Sequence, residues 1–234
     1  VKKRNSTFNR VFTALVFIFL YAPILLLIVF SFNEGSSNSV WTGFSLHWYK
    51  ELFNDRLIMR SVYTSLLVSL IATVIATFAG TFAAIGFYAL RRRHRNFLTT
   101  VNNIPMMNAD IVTGVSMCLL FVAFFGFWNE FVVWFNSAQA FVVLPRLKMG
   151  FGTLLIAHIG FNIPYIILSV SPKLRQMDKN LIDAAMDLGC TPIQAFFKVT
   201  LPEIMPGIVS GGIMAFTMSL DDFVISYFVS GLDF

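Results

Sequence analysis

Residues 11–32 read VFTALVFIFLYAPILLLIVFSF, a run without a single Asp, Glu, Lys or Arg. An α-helix needs about 20 mostly apolar residues to cross a bilayer, and this run is long enough. It follows the basic segment VKKRNSTFNR, as in a signal peptide. The apolar run is too long for that assignment, and no small-residue cleavage site follows it. The sequence therefore predicts a retained first membrane helix.

Four further stretches have the length and composition of membrane spans or nearly so. They cover residues 62–90, 111–128, 154–170 and 208–229. The chain is 57% hydrophobic and only 12% charged, about half the charged fraction of soluble domains. The predicted fold is therefore all-α, a polytopic membrane protein with a single transmembrane domain over residues 1–234. Five spans leave the two termini on opposite sides, so we expect a sixth span beyond this sequence.

The basic residues are distributed unevenly between the two sets of loops. Of 17 Lys and Arg residues, 12 lie before span one, between spans two and three, or between spans four and five. Cytoplasmic loops carry such an excess, so we expect a cytoplasmic N-terminus. The net charge of +5 is thus interpreted as a topology signal and lipid contact rather than a nucleic-acid surface. Residues 131–145, FVVWFNSAQAFVVLP, are shorter than a usual span and are predicted to form an interfacial or re-entrant piece on the outer side. If they did span, the loop from Lys173 to Lys198 would lie outside and the charge bias would weaken.

The longest predicted cytoplasmic loop, residues 171–206, contains two short helices. Asp178 is a candidate N-cap, and Gly189 is placed where a helix ends in a left-handed conformation. Thr191, Pro192 and Gln194 form a capping box that starts a second helix, predicted to end near Leu201 and Pro202. On physical grounds alone, this segment is either a helical hairpin resting on the membrane or a docking element with a small-residue surface.

A spacing pattern in this loop favours docking. Asp183-Ala184-Ala185 is followed after three residues by Gly189, and nine residues later by Val199-Thr200-Leu201-Pro202. The pattern resembles the EAA signature of ABC importer permeases, with Asp replacing Glu and Val replacing Ile. The stretches YAPILLLIVFSFN, FSLHWYKELF, NADIVTGVSM and FTMSLDDFVISYFVSG also resemble, in this order, the second permease of spermidine/putrescine importers. The segment around residues 130–152 is longer than that family leads us to expect.

The resemblance implies a type I ABC importer transmembrane domain in a bacterial inner membrane. Residues 178–202 would be the coupling segment, with Asp183, Ala184, Ala185, Gly189, Leu201 and Pro202 contributing to contact with an ATPase. The implied partners are a second permease, an ATPase homodimer, an extracellular or periplasmic polyamine-binding protein, and membrane lipid. This chain would be no enzyme and bind no cofactor, because ATP and magnesium would belong to the ATPase.

Asp221 and Asp222 lie inside an apolar stretch, where a carboxylate costs roughly 2.5–3.5 kcal/mol on insertion scales. On a continuous helix, Ser219, Asp222 and Ser226 would share one face. One interpretation is a cation site on a translocation path, suited to protonated amines. The other is structural: the pair caps a broken helix or binds an Arg of a partner.

Two further residues are candidates for the same path. Asp110 opens the third span and is either an N-cap or a second carboxylate on the path. Trp48 lies on an outer amphipathic segment and is either an interfacial anchor or a contact for substrate or binding protein. His47, His94 and His158 are scattered and indicate no site. The histidines and the two cysteines have no metal-ligand spacing.

Other functions fit some of these features. A cation channel or secondary transporter could use Asp221 and Asp222 without an ATPase, but it has no use for a cytoplasmic docking helix. An ABC permease for thiamine, ferric iron or another solute would retain that helix. Phosphate or sulfate importers are disfavoured because an acidic pair would repel the cargo.

Overall fold

A computed structural model describes residues 6–35, 40–138, 145–178 and 180–231. A π-helix covers Phe196–Thr200. The α-helices are α1 Ser6–Phe30, α2 His47–Asn54, α3 Arg56–Ala89, α4 Arg92–Met107, α5 Asp110–Ala138, α6 Phe151–Gln176, α7 Asn180–Asp187, α8 Pro192–Ala195, α9 Leu201–Asp221 and α10 Phe223–Val229. The described residues form no β-strand beyond one isolated bridge, which confirms the all-α prediction.

Five helical stretches of the described chain are long and apolar enough to cross a membrane, as predicted. They are Arg10–Phe30, Arg56–Ala89, Asp110–Ser137, Phe151–Gln176 and Pro192–Asp221. The third is longer than predicted, because α5 continues through Asn129 and Glu130 to Ala138. The start of the predicted interfacial piece is therefore the end of a helix, and residues 139–144 lie outside the described residues.

The contacts divide the chain into two compact units, Val1–Val62 and Tyr63–Phe234. In the first unit, the buried amide of Asn33 organises the segment after α1. Asn33 Nδ2 donates to Val40 O at 2.8 Å, and Asn33 Oδ1 accepts from Thr42 N at 2.8 Å and Thr42 Oγ1 at 2.9 Å. These bonds fix the conformation of the segment that connects α1 to α2.

In the second unit, α6 packs against α9 along a stripe of small residues. A Cβ added at Gly207 would lie 3.0 Å from Ser169 O, and one at Gly211 would lie 3.3 Å from Ile166 Cα. Ala215 and Ser219 continue this stripe and are buried. The spacing of four residues keeps all of them on one helix face, so the two backbones approach closely.

Helix α3 meets the same core through Gly80, where an added Cβ would lie 2.7 Å from Ile166 Cβ. Ile166, Ile167, Val170 and Leu174 of α6 form the centre of this core with Ile204 of α9. This core occupies the C-terminal half of α6, and the candidate site lies beside the N-terminal half of the same helix.

The segment before α6 is held at two points. Asn129 of α5 forms two hydrogen bonds with the backbone of Leu147, at 2.9 and 3.1 Å. Thr153 in the first turn of α6 donates to Val229 O at 2.9 Å, which ties α6 to the end of α10. The long segment around residues 130–152 thus begins as helix and ends against α5 and α10.

Candidate functional site

Two helices of the second unit are interrupted, and the two interruptions are neighbours. Helix α4 ends before Asn108, and α5 begins at Asp110; helix α9 ends at Asp221, and α10 begins after Asp222. A Cβ added at Gly114, one turn into α5, would lie 3.5 Å from Ile225 Cα, one turn into α10. Backbone groups that are not paired within a helix require partners from the protein, from water or from a ligand. The paired interruptions therefore mark a site.

Asp222 occupies the interruption between α9 and α10 and caps α10. Its Oδ1 accepts a hydrogen bond from Ile225 N at 3.0 Å, and Ser226 Oγ donates to its carbonyl oxygen at 2.7 Å. Oδ2 is buried and has no hydrogen-bond partner among the described residues. A buried acceptor without a partner is costly, so this oxygen is suited to a donor from a ligand.

The prediction that Ser219, Asp222 and Ser226 share one face of a continuous helix is wrong. The backbone of Asp222 has φ −78° and ψ 87°, which is outside the helical region. The physical reason is the preference of Asp for the N-cap position, where its carboxylate satisfies an amide that a continuous helix would bond elsewhere. The structural interpretation of Asp222 as a cap is therefore correct, and its second oxygen remains available.

Asp110 and Asp221 add further negative charge. Both side chains are exposed, and both interact electrostatically with Asp222. Tyr165 of α6 lies near both Asp110 and Asp222. None of the three carboxylates forms an ion pair with a Lys or Arg of the described chain. The arrangement is a concentration of negative charge that a cation would neutralise.

Asp110 does not cap α5. The helix begins at Asp110 itself, and the carbonyl of Ala109 accepts from Val112 N at 2.9 Å and Thr113 N at 3.2 Å. Asp110 lies in the first turn, where a carboxylate interacts favourably with the helix dipole. Its side chain is left free for other interactions within the described part of the chain.

His158 of α6, which the sequence did not single out, hydrogen bonds across the second interruption. Nδ1 lies 2.8 Å from Ser219 Oγ on α9, and Nε2 lies 3.0 Å from Ser226 Oγ on α10. His158 is 2% exposed and Ser219 is 3% exposed. Ser219 is thus turned towards α6 and not towards an open path. One imidazole fixes the position of both helices beside Asp222.

Tyr165 was also missed by the sequence interpretation. Its ring contacts Phe161 at 5.4 Å between centroids, in a buried cluster with Ile225 of α10. A signal was present, because His158, Asn162 and Tyr165 recur at intervals of four and three residues along an apolar span. That spacing is typical of a polar helix face.

Trp48 lies in the first unit, next to the first residue of α2, and its side chain is 42% exposed. Its ring contacts that of His47 at 5.4 Å, and His47 pairs with Glu51 at 3.4 Å. Its assignment to the path stays a prediction.

The predicted coupling segment has the expected local structure over its first part. Gly189 follows α7 with φ 88°, and Cys190 N donates to Ala185 O at 3.1 Å. Thr191 Oγ1 accepts from Gln194 N at 3.3 Å, and Gln194 Oε1 accepts from Thr191 N at 3.0 Å. The left-handed glycine and the capping box are both confirmed.

The end predicted for the second short helix, near Leu201 and Pro202, is wrong. Helix α8 passes through the π-helix directly into α9, and Leu201 N bonds to Phe196 O. A wider π turn gives room for the ring of Pro202, which cannot donate a hydrogen bond itself. Asp183 and Ala184 are exposed on α7, and Ala185 is half-buried.

Comparison with known proteins gives the family. Residues 76–233 match the family described as "Binding-protein-dependent transport system inner membrane component". The chain is 39% identical over 228 residues to the putrescine transport system permease protein PotI of Escherichia coli (strain K12), covering 97% of this chain and 76% of that protein. It is 33% identical over 226 residues to the spermidine/putrescine transport system permease protein PotC of Haemophilus influenzae, covering 97% and 80%. With most of its length inside the family match and five helices able to span a membrane, the chain belongs to the binding-protein-dependent transport system inner membrane components and is a multi-pass permease.

Proposed function

We propose that this permease is a subunit of an ATP-driven importer of polyamines, spermidine and putrescine, and forms half of the translocation path. The observation that carries the proposal is the group of three carboxylates at two neighbouring helix interruptions, Asp110, Asp221 and Asp222, without a basic partner in the described chain. The names of the relatives, which refer to putrescine and spermidine, support the same cargo class.

The chemistry of the site suits a flexible chain of protonated amines. The free Oδ2 of Asp222 accepts one ammonium donor, and Asp110 or Asp221 provides a second acceptor at a different position. Aromatic side chains adjoin these acidic groups, with Tyr165 and Phe161 in one cluster with Phe121 and Phe228. Aromatic faces attract ammonium groups by roughly 0.5–2 kcal/mol and also cover methylene groups.

The permease would work with partner subunits. Leu188 and Ile193, on either side of Gly189, are 87% and 72% exposed, and Phe197 in the π-helix is 60% exposed. Exposed apolar side chains around a capped turn favour insertion of this segment into a groove of an ATPase subunit. The inserted residues would include Asp183, Ala184, Ala185 and Gly189. The ATPase homodimer would hold ATP and magnesium.

The same proposal includes a second permease and an external polyamine-binding protein. Leu201 and Pro202 would transmit the ATPase movement into α9, because that helix starts directly after the π-helix. The arginine-rich end of α4 and the other basic loops support a cytoplasmic N-terminus in a bacterial inner membrane. Trp48 would then lie on the outer side, where a binding protein delivers cargo.

The test is uptake of labelled spermidine and putrescine by proteoliposomes that contain the complete importer. Asp222→Asn and Asp221→Asn each remove one charge with little change of shape. Glu130→Gln is the matched control, because it removes an exposed carboxylate near the other end of α5. We expect uptake at low cargo concentration to fall about tenfold or more for Asp222→Asn, more for spermidine than for putrescine.

The control and the basal ATP hydrolysis should stay unchanged. Full uptake by the Asp221→Asn, Asp222→Asn double variant would overturn the proposal. An equal loss for every cargo, together with a lower yield of complex, would indicate a purely structural role for the two residues.

A further inference from the structure

A pocket away from the carboxylates lies between the ends of three helices. Tyr88 and Phe87 of α3, Arg95 and Thr99 of α4, and Ser171 and Arg175 of α6 line it. Two of these side chains are cationic and three carry hydroxyl groups, whereas no acidic side chain of the described residues lines the pocket. Its composition is that of an anion site.

The two guanidinium groups lack a counterion within the described chain. The one ion pair among the described residues joins His47 to Glu51, so neither Arg95 nor Arg175 has an acidic partner there. Arg95 Nε is buried and has no hydrogen-bond partner among the same residues. Arginine stays protonated in proteins, so this N–H requires an acceptor. A bound anion would neutralise the guanidinium groups of Arg95 and Arg175 and would accept a hydrogen bond from the buried Nε of Arg95.

The pocket lies at the level where two apolar helices end. The candidate spans Arg56–Ala89 and Phe151–Gln176 finish at its edge, since Tyr88 and Arg175 are one residue from their ends. The ends of membrane-spanning helices lie at the depth of the lipid headgroups. The adjoining run of arginines, from Arg91 to Arg95, assigns this end to the cytoplasmic side, where anionic lipids attract basic segments.

We propose that this pocket binds the phosphate group of an anionic phospholipid of the cytoplasmic leaflet. Arg95 and Arg175 contribute the charge, and the hydroxyls of Tyr88 and Ser171 contribute further donors. Thr99 Oγ1 is already engaged with Arg95 O at 2.8 Å and fixes the turn that carries the arginine. The bound lipid would join the ends of α3, α4 and α6. It would thereby stabilise the helix that leads into the Asn108 interruption.

The experiment uses the purified importer complex in detergent, with native mass spectrometry and thermal unfolding as readouts. The complex is titrated separately with phosphatidylglycerol, phosphatidylcholine and inorganic phosphate. Arg95→Gln and Arg175→Gln remove one pocket charge each. Arg93→Gln is the matched control, because Arg93 lies on the same helix, is exposed and is not part of the pocket.

We expect phosphatidylglycerol to raise the unfolding temperature of the wild-type complex and to be retained by it. Each pocket variant should require about tenfold more of this lipid, and the control should match the wild type. If Arg95→Gln fails to assemble, Arg175→Gln decides the result, because the Arg175 side chain is exposed.

Three results would overturn the proposal. The first is an equal lipid requirement in the wild type and the decisive pocket variant. The second is saturation of the same stabilisation by inorganic phosphate, which would make the pocket a site for a soluble anion. The third is loss of a partner subunit from the pocket variants at every lipid concentration, which would identify an acidic side chain of that partner as the counterion.

Discussion

Ser219 and Ser226 belong to different helices, yet the same imidazole ring, that of His158, hydrogen bonds to both. The two serines flank Asp222, the residue at which the helix is interrupted. Helix α6 therefore sets the angle between α9 and α10 and, with it, the position of the carboxylate. His158 acts through Asp222, so we regard it as a positioning residue of the proposed cation site.

Replacing His158 with Leu should weaken cargo recognition. Both serine bonds are lost and Ser219 Oγ becomes a buried hydroxyl without a partner, at a cost of about 1–3 kcal/mol. We expect the KM for polyamine uptake to rise by about tenfold, with a smaller change in the maximal rate. Uptake kinetics in proteoliposomes, together with the melting temperature of the complex, measure the two effects.

Ser219→Ala and Ser226→Ala serve as controls, since each removes one of the two bonds. Either variant alone should give a smaller increase in KM than His158→Leu. A lower melting temperature with an unaltered KM would assign His158 a structural role only.

Gly189→Val should uncouple ATP hydrolysis from transport. The φ of 88° is unfavourable for a residue with a Cβ by about 1–2 kcal/mol, and more for a β-branched one. The turn between α7 and α8 would then adopt another conformation, and the exposed segment would no longer fit its ATPase. ATPase stimulation by cargo-loaded binding protein measures the loss, and the amount of permease in the membrane should stay normal.

Gly189→Asn is the matched variant, because Asn tolerates a left-handed conformation far better than Val. It should retain most of the stimulation. Normal transport by Gly189→Val would contradict the proposed coupling role.

Gly211→Val should destabilise the contact between α6 and α9. The first added carbon would lie 3.0 Å from Ser169 Cβ and 3.3 Å from Ile166 Cα, which is closer than ordinary packing. Overpacking of this kind costs typically 1–3 kcal/mol. Gly126→Val is the control, since a Cβ there meets nothing within 4 Å among the described residues. Thermal unfolding of the purified complex should separate the two variants, and equal melting temperatures would refute the close contact.

Asp110→Asn should reduce uptake while the complex remains intact. Asp110 is not the N-cap of α5, so the loss in stability is limited to its dipole interaction, about 0.3–1 kcal/mol. We expect a smaller loss of uptake than for Asp222→Asn, because the Asp222 carboxylate has a buried oxygen without a partner among the described residues. If the yield of complex fell as much as the uptake, the role of Asp110 would be structural only.

The number of spans and the turn around Gly189 were predictable from sequence because their signals are local. The length of the apolar runs predicts the number of spans, and a glycine followed by Thr191-Pro192 predicts the turn. The interruption at Asp222 was not resolved because Asp is compatible with both a polar helix face and an N-cap. Only the contact of α6 with α9 and α10 shows that Asp222 is an N-cap and not part of a polar helix face.

His158 could not be assigned from sequence because its partners lie 61 and 68 residues away. The helical continuation beyond Leu201 was missed for a different reason. Proline at positions 202 and 206 normally ends a helix, but the π turn accommodates the first, and the apolar surroundings favour continued backbone hydrogen bonding.

Because α8 continues through the π-helix into α9, residues Pro192–Asp221 form a single continuous helix of 30 residues, about 45 Å long. The stripe from Gly207 to Ser219 and the bond between Ser219 and His158 hold the C-terminal half of this helix against α6. A displacement at Thr191 would therefore move α6 together with α9, and the geometry around Asp222 would be kept while the helix pair tilts.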